Sequence, residues 1–524
     1  MPDRFSTGRH AGILVPLFSI PSTSSWGIGD ITDLGRFAHW LRSAGQDFVQ
    51  LLPVTAIGES ETSPYSALSA MAIDHVYIGL DDLQDFRDIG GEHAMRGDLR
   101  ARLERLRGSK SIDYAEVRDL KSVAFDATFD HFHRQHWTRD TQKAAELRSF
   151  IEREQWWLDD YALFRALRKQ NGCRAWWEWD EGLRRRDPDA LARARQALER
   201  DVLMQQYLQW VADSQWHEVR AEAGIGIFGD YPFVVGRDSA DVWARQRDFL
   251  HEASVGTPPD AFSETGQNWG LPVYRWDMMA ANDFTWLRQR AARSASLYDG
   301  YRIDHLVGFY RTFVRPPDGE PYFTPAEESE QLAQGEGLME IFRSSGPVII
   351  AEDLGVIPDF VRASLQRLQL PGYRVLRWER DWHAPAQPFE NPERWPALSV
   401  GTSGTHDTEP LVEWWSHADQ DERREFLKLP QLAGLGLRPG TSFTPAFRDA
   451  ILDALFHSGS QYLILPLGDV FGWPDRINTP TVVGDGNWRW RMPWPVDRLD
   501  AQPDARERAG FLRREAERSG RLDV

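Results

Sequence analysis

The sequence has one cysteine, Cys173, and no long hydrophobic run. A single cysteine excludes an internal disulfide framework and any metal cluster held by several thiolates. Because no stretch of about 18 apolar residues occurs, we expect no membrane-spanning helix. The first residues (MPDRFSTGRH) contain no apolar run of the kind a secretory signal needs. These absences predict a cytoplasmic protein that does not associate with a membrane.

Basic residues are scarce relative to acidic ones. The chain of 524 residues has 61 Lys and Arg against 79 Asp and Glu, for a formal net charge of −18. Because such a chain repels phosphate backbones, we do not expect it to bind nucleic acid. Hydrophobic residues make up 41% and charged residues 27%, which is an ordinary globular balance with ample material for a core.

Eight short apolar runs recur along the chain, and helical patterns separate many of them. Continuous apolar character is typical of parallel strands that are covered on both faces. Strands that alternate with helices predict an α/β protein, and eight of them predict a (β/α)₈ TIM barrel. The predicted strands are residues 11–17, 47–54, 224–229, 299–303, 347–351, 373–378, 398–401 and 461–467.

The segment 82–222 has a different pattern, because apolar residues recur there at steps of three and four over long stretches. This periodicity predicts helices, and we interpret the segment as a large helical insertion in a single catalytic barrel spanning residues 1–524. Stretches containing proline and glycine at 256–272, 315–325 and 475–495 are interpreted as long functional loops at the C-terminal rim.

Four of the predicted strands lead directly into a carboxylate, namely Asp230, Asp304, Glu352 and Asp407. Active sites of TIM barrels lie at the C-terminal ends of the strands, so we expect these side chains to share one rim. Converging carboxylates can cleave a glycosidic bond. One attacks the anomeric carbon, and a second with a raised pKa protonates the leaving oxygen.

Metal-assisted hydrolysis is the alternative that the dipeptides Asp304-His305 and His406-Asp407 keep open. It is less favoured, because the first strand is not followed by a His-x-His pair and no dense histidine cluster stands out. The glycines of residues 224–229 (GIGIFG) spell a dinucleotide-binding fingerprint. They lie within a predicted strand instead of opening a helix, so no dinucleotide is expected.

Longer motifs are more specific. Arg-x-Asp at residues 302–304 is shared across the alpha-amylase clan, whereas residues 266–270 (GQNWG) and 487–490 (NWRW) are more specific. Together, in this order and spacing, they make the chain resemble the 4-alpha-glucanotransferases called amylomaltases or disproportionating enzymes over nearly its whole length. Further matches are residues 12–14 (GIL), 25–30 (SWGIGD), 63–65 (SPY), 240–243 (ADVW), 256–260 (GTPPD), 351–355 (AEDLG), 404–407 (GTHD) and 476–480 (RINTP).

The resemblance implies a retaining enzyme that cleaves α-1,4 linkages in maltooligosaccharides or starch- and glycogen-like glucans. It would pass the glycosyl segment to the 4-hydroxyl of glucose or another glucan, with no cofactor and no metal. Asp304 would be the nucleophile, Glu352 the general acid and then the base, and Asp407 would hold the distorted sugar. A hydrolase would use the same residues, and an inactive carbohydrate-binding barrel is disfavoured by the three intact carboxylates.

The resemblance also implies a lid over residues 250–280 whose GQNWG loop shields the intermediate from water. Arg302 lies two residues before Asp304 on one strand and so points to the same side, where its charge would keep Asp304 ionised. The implied substrate-binding residues are Arg302, His305, His406, Asp230, Tyr65, Gln267, Asn268, Trp269, Asn478 and Pro480.

Tryptophan is unusually frequent, with 23 residues against 13 tyrosines. We interpret the pair Trp156 and Trp157 as packing residues of a helix. Other tryptophans fall in segments interpreted as loops, and these are candidates for a surface on which a glucan lies. They are Trp26, Trp269, Trp473, Trp488, Trp490 and Trp494.

Overall fold

The prediction of a (β/α)₈ barrel is confirmed by the computed structural model, which describes residues 4–95, 97–259, 265–480, 482, 484 and 486–522. Eight parallel strands, each paired with the next along the chain, close where the eighth meets the first. The barrel strands β1 to β8 are His10–Leu14, Phe48–Gln50, Gly226–Tyr231, Gly300–Ile303, Val348–Ala351, Gly372–Val375, Ser399–Thr402 and Tyr462–Pro466.

The strands form because their residues can be buried on both faces. All residues of β1, β3, β4, β7 and β8 are buried, which explains the continuous apolar runs in the sequence. The outer helix after β1, Ile31–Ser43 (α1), begins at Asp30. The Asp30 carboxylate accepts hydrogen bonds from the backbone N–H groups of Thr32 and Asp33, which an α-helix leaves unsatisfied at its start.

Most strand boundaries differ from the predicted ones by one to four residues, and two of these differences affect residues at the cleft. Strand β3 continues to Tyr231, because Asp230 and Tyr231 pair with Arg302 and Ile303 of β4. Asp230 therefore lies inside the strand and not in the loop after it. Strand β6 ends at Val375. A turn follows, in which the backbone N–H of Trp378 donates to the Val375 carbonyl at 2.8 Å.

Helices occupy most of the chain between β2 and β3. The longest of them, α6 and α9, pack along each other, and α9 also packs on α1 of the barrel. The helices are Gln84–Asp88 (α2), Gly91–Ala94 (α3), Asp98–Gly108 (α4), Tyr114–Phe132 (α5), Gln142–Gln170 (α6), Glu181–Arg184 (α7), Pro188–Ala197 (α8) and Glu199–Glu222 (α9). A five-residue π-helical turn, His133–Trp137, directly continues α5.

The remaining helices cover the barrel or line its rim. After β3 they are Ala240–Ala244 (α10), Trp276–Ala281 (α11) and Thr285–Leu297 (α12). After β4 they are Val307–Tyr310 (α13) and Glu328–Arg343 (α14), and after β5 Asp359–Arg367 (α15). After β7 they are Leu411–His417 (α16), Gln420–Phe426 (α17), Pro430–Ala433 (α18) and Pro445–Phe456 (α19), and after β8 Leu467–Phe471 (α20) and Pro503–Arg518 (α21). No helix in the described ranges has the length and apolar character needed to cross a membrane.

Parts of the segments interpreted as loops are strands. Ser254–Thr257, Gln267–Asn268, Thr312–Arg315 and Tyr322–Thr324 form a four-stranded antiparallel sheet. Glycine permits the close approach, because a Cβ at Gly256 would lie 2.1 Å from the Gln267 carbonyl oxygen. The glycines that suggested a loop thus allow two strands to meet. Residues 260–264 of the expected lid lie outside the described residues.

Candidate active site

One arginine side chain lies among three carboxylates at the end of β4. Arg302 Nη1 is 2.9 Å from both carboxylate oxygens of Asp230, and Nη2 is 2.7 Å from Asp304 Oδ1. The same Nη2 atom is 3.9 Å from Glu352 Oε2. The buried guanidinium thus has a carboxylate of β3 beside it and two carboxylates of the rim in front of it. Its permanent charge opposes the rise in pKa that burial causes at Asp230 and Glu352, and it orients Asp304.

Asp304 is held on one side and open on the other. Its backbone N–H bonds the Tyr231 carbonyl at 3.0 Å, and Arg302 holds Oδ1. A quarter of the side chain (25%) is nevertheless exposed. A carboxylate that is aimed by a fixed cation and can still be reached is suited to attack an electrophilic carbon.

Glu352, directly after β5, has the environment of a group that exchanges protons. The backbone N–H of His305 donates to its Oε2 and that of Leu354 to its Oε1, each at 2.8 Å. Burial raises the pKa of Glu352 to about 7, and the nearby Asp304 charge adds to this, although Arg302 and the two amides oppose it. A carboxyl that titrates near neutral pH can both give and accept a proton.

The pKa of Asp407 is shifted in the opposite direction to that of Glu352. Burial favours its neutral form, but His406 and a hydrogen bond from Asn478 outweigh it and hold the pKa of Asp407 well below its usual range. Asn478 Nδ2 is 2.7 Å from Asp407 Oδ1, and His406 Nε2 is 3.3 Å from Oδ2. Asp407 is therefore an anion that accepts hydrogen bonds and does not supply protons.

His305 sits in a strained backbone conformation next to Asp304. Its φ of +45° lies in the left-handed region, which residues other than glycine rarely adopt. Its ring packs against Trp269, with ring centroids 4.7 Å apart, and against Phe233 at 5.6 Å. Burial lowers the pKa of His305 to about 4, so the ring is neutral near pH 7. Strain of this kind collects at functional sites, where the surrounding packing maintains it.

Tyr65 and His406 lie together in another part of the cleft wall. Their rings stack at 5.4 Å, and the Tyr65 hydroxyl is 3.0 Å from His406 Nε2. The same hydroxyl donates to Asp230 Oδ2 at 2.6 Å. Burial raises the pKa of Asp230, while Arg302 opposes the shift. The Asp230 side chain has no exposed surface, so it supports Arg302 and Tyr65 from behind and reaches no ligand in this conformation.

Asp304, Glu352 and Asp407 open into one cleft of about 990 Å³ at the C-terminal rim of the barrel. The geometry thus places a held and accessible carboxylate, a carboxyl that titrates near neutral pH and a fixed anion around a common space. This set can attack, protonate and position a sugar.

Residues 15–497 match the profile of glycoside hydrolase family 77, described as 4-alpha-glucanotransferase. The chain belongs to this family. It is accordingly an enzyme that transfers segments between α-1,4-glucans, as the resemblance in the sequence implied, and the hydrolase and the inactive barrel are not favoured.

Individual relatives agree with this. The 4-alpha-glucanotransferase of Thermus thermophilus is 34% identical over 526 residues, which cover 95% of this chain and 99% of that protein. The one from Chlamydia pneumoniae is 30% identical over 507 residues, covering 94% and 93%. The amylomaltase from Streptococcus agalactiae, solved in complex with acarbose, superposes with a TM-score of 0.82 at 27% identity and covers 98% of this chain and all (100%) of that one.

Most, but not all, of the residues that the family resemblance assigned to substrate binding line the cleft. Those that line the cleft are Arg302, His305, His406, Tyr65, Gln267, Trp269 and Asn478. Asn268 is exposed outside the cleft lining, and its side-chain oxygen accepts the N–H of Gly270 at 3.0 Å. Pro480 is also exposed and outside the lining. Asn268 and Pro480 would need a local rearrangement of the backbone or side chain to contact a sugar.

Sequence reasoning missed two aromatic residues of the cleft, Trp378 and Trp382. They line it with 37% and 53% of their surface exposed. The predicted sixth strand extended to residue 378, so Trp378 was counted as part of a strand. The residues after the true end of β6 (RWERDW at 377–382) carry the signal, since bulky aromatic residues at a barrel rim often bind ligand.

The prediction that the loop tryptophans form a glucan surface is wrong for most of them. Trp26 is almost fully buried at 1% exposure and packs on Phe86. Trp473 and Trp494 pack on each other, with ring centroids 5.4 Å apart, and Trp490 packs on Trp473. Trp26 belongs to the core, and the other three rings are partly buried and pack against it. In the described chain the cleft tryptophans are Trp269, Trp378, Trp382 and Trp488.

Proposed function

We propose that the enzyme transfers glycosyl segments by a double displacement in which Asp304 is the nucleophile and Glu352 the acid and base. The observation that carries the proposal is the single Arg302 guanidinium in contact with Asp304 and close to Glu352. It sets two carboxyls side by side, as in retaining enzymes, where they are about 5–5.5 Å apart. Arg302 holds the Asp304 carboxylate, while burial of Glu352 raises its pKa to about 7.

In the first step, Asp304 attacks the anomeric carbon of the donor and the glycosidic C–O bond breaks. Glu352 gives its proton to the departing oxygen, so the leaving glucan carries a new hydroxyl and Glu352 is left ionised. In the second step, Glu352 takes the proton of an acceptor 4-hydroxyl as that oxygen attacks. The bond to Asp304 breaks, and both carboxyls return to their starting states.

Asp407 would hold sugar hydroxyls during both steps. Its low pKa keeps it an acceptor, and the hydrogen bond from Asn478 fixes one of its oxygens at 2.7 Å. Hydroxyl hydrogen bonds of this kind strengthen as the oxocarbenium-like transition state forms. Neutral His305 and the Tyr65–His406 pair would complete the walls around that sugar.

Transfer requires that an acceptor sugar outcompetes water. Trp269 supports this, because it stands over His305 and its indole Nε1 donates to Gln267 Oε1 at 3.1 Å, which joins two residues of the expected lid. A closed aromatic cover excludes water from the intermediate. The exposed faces of Trp378 and Trp382 would receive the apolar faces of further glucose units, so we propose maltooligosaccharides and longer α-1,4-glucans as donors and glucose or shorter glucans as acceptors.

Incubation with maltotriose as the sole sugar tests the activity. We expect a ladder of longer oligosaccharides together with glucose, separated by thin-layer chromatography. Glucose and maltose without any longer product would contradict transfer.

Glucosyl fluorides separate the two carboxyl roles, because fluoride leaves without protonation. The Glu352→Gln variant should lose about 100-fold or more of its rate on maltotriose, yet still release fluoride from an α-maltosyl fluoride donor. The Asp304→Asn variant should release none. The matched control is Glu379→Gln, since Glu379 also lines the cleft and burial raises its pKa to about 7. Its rate on maltotriose should stay within a few-fold of the parent, and a loss as large as that of Glu352→Gln would refute the assignment.

A further inference from the structure

A group of metal-ligating side chains lies outside the cleft, in the helical segment between β2 and β3. Asp85 on helix α2, His131 on helix α5 and His136 in the π-helical turn each offer a ligand atom, and these atoms all lie within 4.8 Å of one another. Two other triads occur in the described chain, around His417 and His457, but each contains one histidine only.

Only one of the two oxygens of the Asp85 carboxylate has hydrogen-bond partners in the described chain. Its side chain is fully buried, with Oδ2 2.6 Å from Lys143 Nζ and 2.8 Å from the Tyr207 hydroxyl. The other oxygen, Oδ1, is buried and has no hydrogen-bond partner among the residues that the structure describes. Leaving a buried carboxylate oxygen unpaired is costly, so this atom is suited to coordinate a ligand.

The His136 imidazole lies near that oxygen, but at a distance too long for an ordinary hydrogen bond. His136 Nε2 is 3.5 Å from Asp85 Oδ1, whereas N–H···O bonds are typically about 2.9–3.0 Å long. Two ligands on a tetrahedral Zn²⁺, each about 2.0–2.1 Å from the metal, are about 3.4 Å apart. The observed separation therefore fits two ligands of one ion better than a donor and an acceptor.

The surroundings of the two histidines are suited to metal binding. His136 Nδ1 is 3.0 Å from Thr141 Oγ1, which occupies that nitrogen and leaves Nε2 toward Asp85. Metal-binding histidines usually have such an outer partner. The π-helical turn places His136 five residues after His131 on the same side, and single π-turns occur frequently at functional sites. Asp88 Oδ2 lies 3.6 Å from His131 Nε2, so a second carboxylate stands beside the triad.

We propose that Asp85, His131 and His136 form a structural site for a divalent transition-metal ion of the Zn²⁺ type. Two imidazoles and a carboxylate are ligands that zinc accepts, and a water molecule would complete a tetrahedron. The ion would tie helix α2 to the end of helix α5, while Lys143 keeps its place on the other oxygen of Asp85. This departs from the sequence-based expectation of no metal, although the site has no part in the proposed chemistry of the cleft.

The test is zinc binding to the full-length chelator-treated protein. After addition of ZnCl₂ and gel filtration, elemental analysis should find about one Zn²⁺ per chain, and zinc should raise the melting temperature. Co²⁺ in its place should give the visible absorption of a tetrahedral site. The His136→Gln variant should lose all three signals, and Thr141→Val should bind zinc about 10- to 100-fold more weakly.

His133→Gln is the matched control, since His133 lies in the same histidine-rich run (HFHRQH, residues 131–136) but outside the triad. It should bind zinc like the parent. Circular dichroism and maltotriose transfer show that each variant is folded, and His131→Gln replaces His136→Gln if the latter is not. Failure of the parent to bind zinc, undiminished binding by the folded variant, or an equal loss in His133→Gln would overturn the proposal.

Discussion

The protonation of Glu352 should set the alkaline limb of the pH profile. In the first step of the proposed mechanism Glu352 must carry a proton, so kcat/KM for maltotriose depends on the protonated fraction. Burial raises the pKa of Glu352 from 4.5 to about 7. Activity should therefore be retained below that value and fall about tenfold per pH unit above it.

The size of the effect follows from the same shift. Moving a carboxyl pKa from 4.5 to about 7 corresponds to about 3 kcal/mol between the two protonation states. At pH 7 about half of the molecules then carry the catalytic proton, whereas a carboxyl with an unshifted pKa would be protonated in about one molecule in 300. The burial of Glu352 is thus expected to raise the rate at pH 7 about 100-fold over that of a carboxyl with an unshifted pKa.

The assay compares two donors over about pH 4 to 9. Initial rates of maltotriose disproportionation give one profile, and fluoride release from α-maltosyl fluoride gives the other. Because fluoride leaves without a proton, the alkaline limb should be present for maltotriose and absent for the fluoride. An alkaline limb of equal midpoint for both donors, or a midpoint near 4.5 for maltotriose, would refute the assignment of Glu352.

Three further substitutions test the surroundings of the cleft. Tyr65→Phe removes the 2.6 Å hydrogen bond to buried Asp230 and should lower the free energy of unfolding by about 2 kcal/mol in urea titrations; an unchanged midpoint would show that Arg302 alone suffices. Gly372→Ala should lower the melting temperature, because its Cβ would lie 2.5 Å from an Asp353 carboxylate oxygen; a variant as stable as the parent would mean that this carboxylate moves freely. Trp382→Ala should raise KM for long glucans several-fold and leave KM for maltotriose nearly unchanged, and equal effects on both would argue against sugar stacking there.

The barrel could be read from the sequence because most of its strands are buried on both faces. That burial demands continuous apolar runs, and the eight runs correspond to the eight strands of the closed barrel. The ends of the strands were harder to predict from the sequence, since hydrogen bonding to the neighbouring strand decides where each strand ends. Strand β3 reaches Tyr231 only because β4 offers Ile303 as its partner, and nothing local to residues 229–231 indicates this.

The carboxylates of the site were predictable for a topological reason. Parallel strands of one barrel end at one rim, so residues that follow different strands meet although they are far apart in sequence. The relation of Asp304 to Arg302 follows from their spacing on one strand. The family motifs then supplied roles that spacing alone does not provide.

The fold class, the rim carboxylates and the family could be inferred without a structure, because burial patterns and motifs are local properties of the chain. Which polar groups are buried, and what they contact, followed only from the folded molecule. The tertiary structure placed Asp230 behind Arg302, buried Trp26 while exposing Trp382 in the cleft, and brought His136 to Asp85. These outcomes depend on contacts between distant segments, and the pKa of Glu352 depends on them too, since desolvation is a property of the packed molecule.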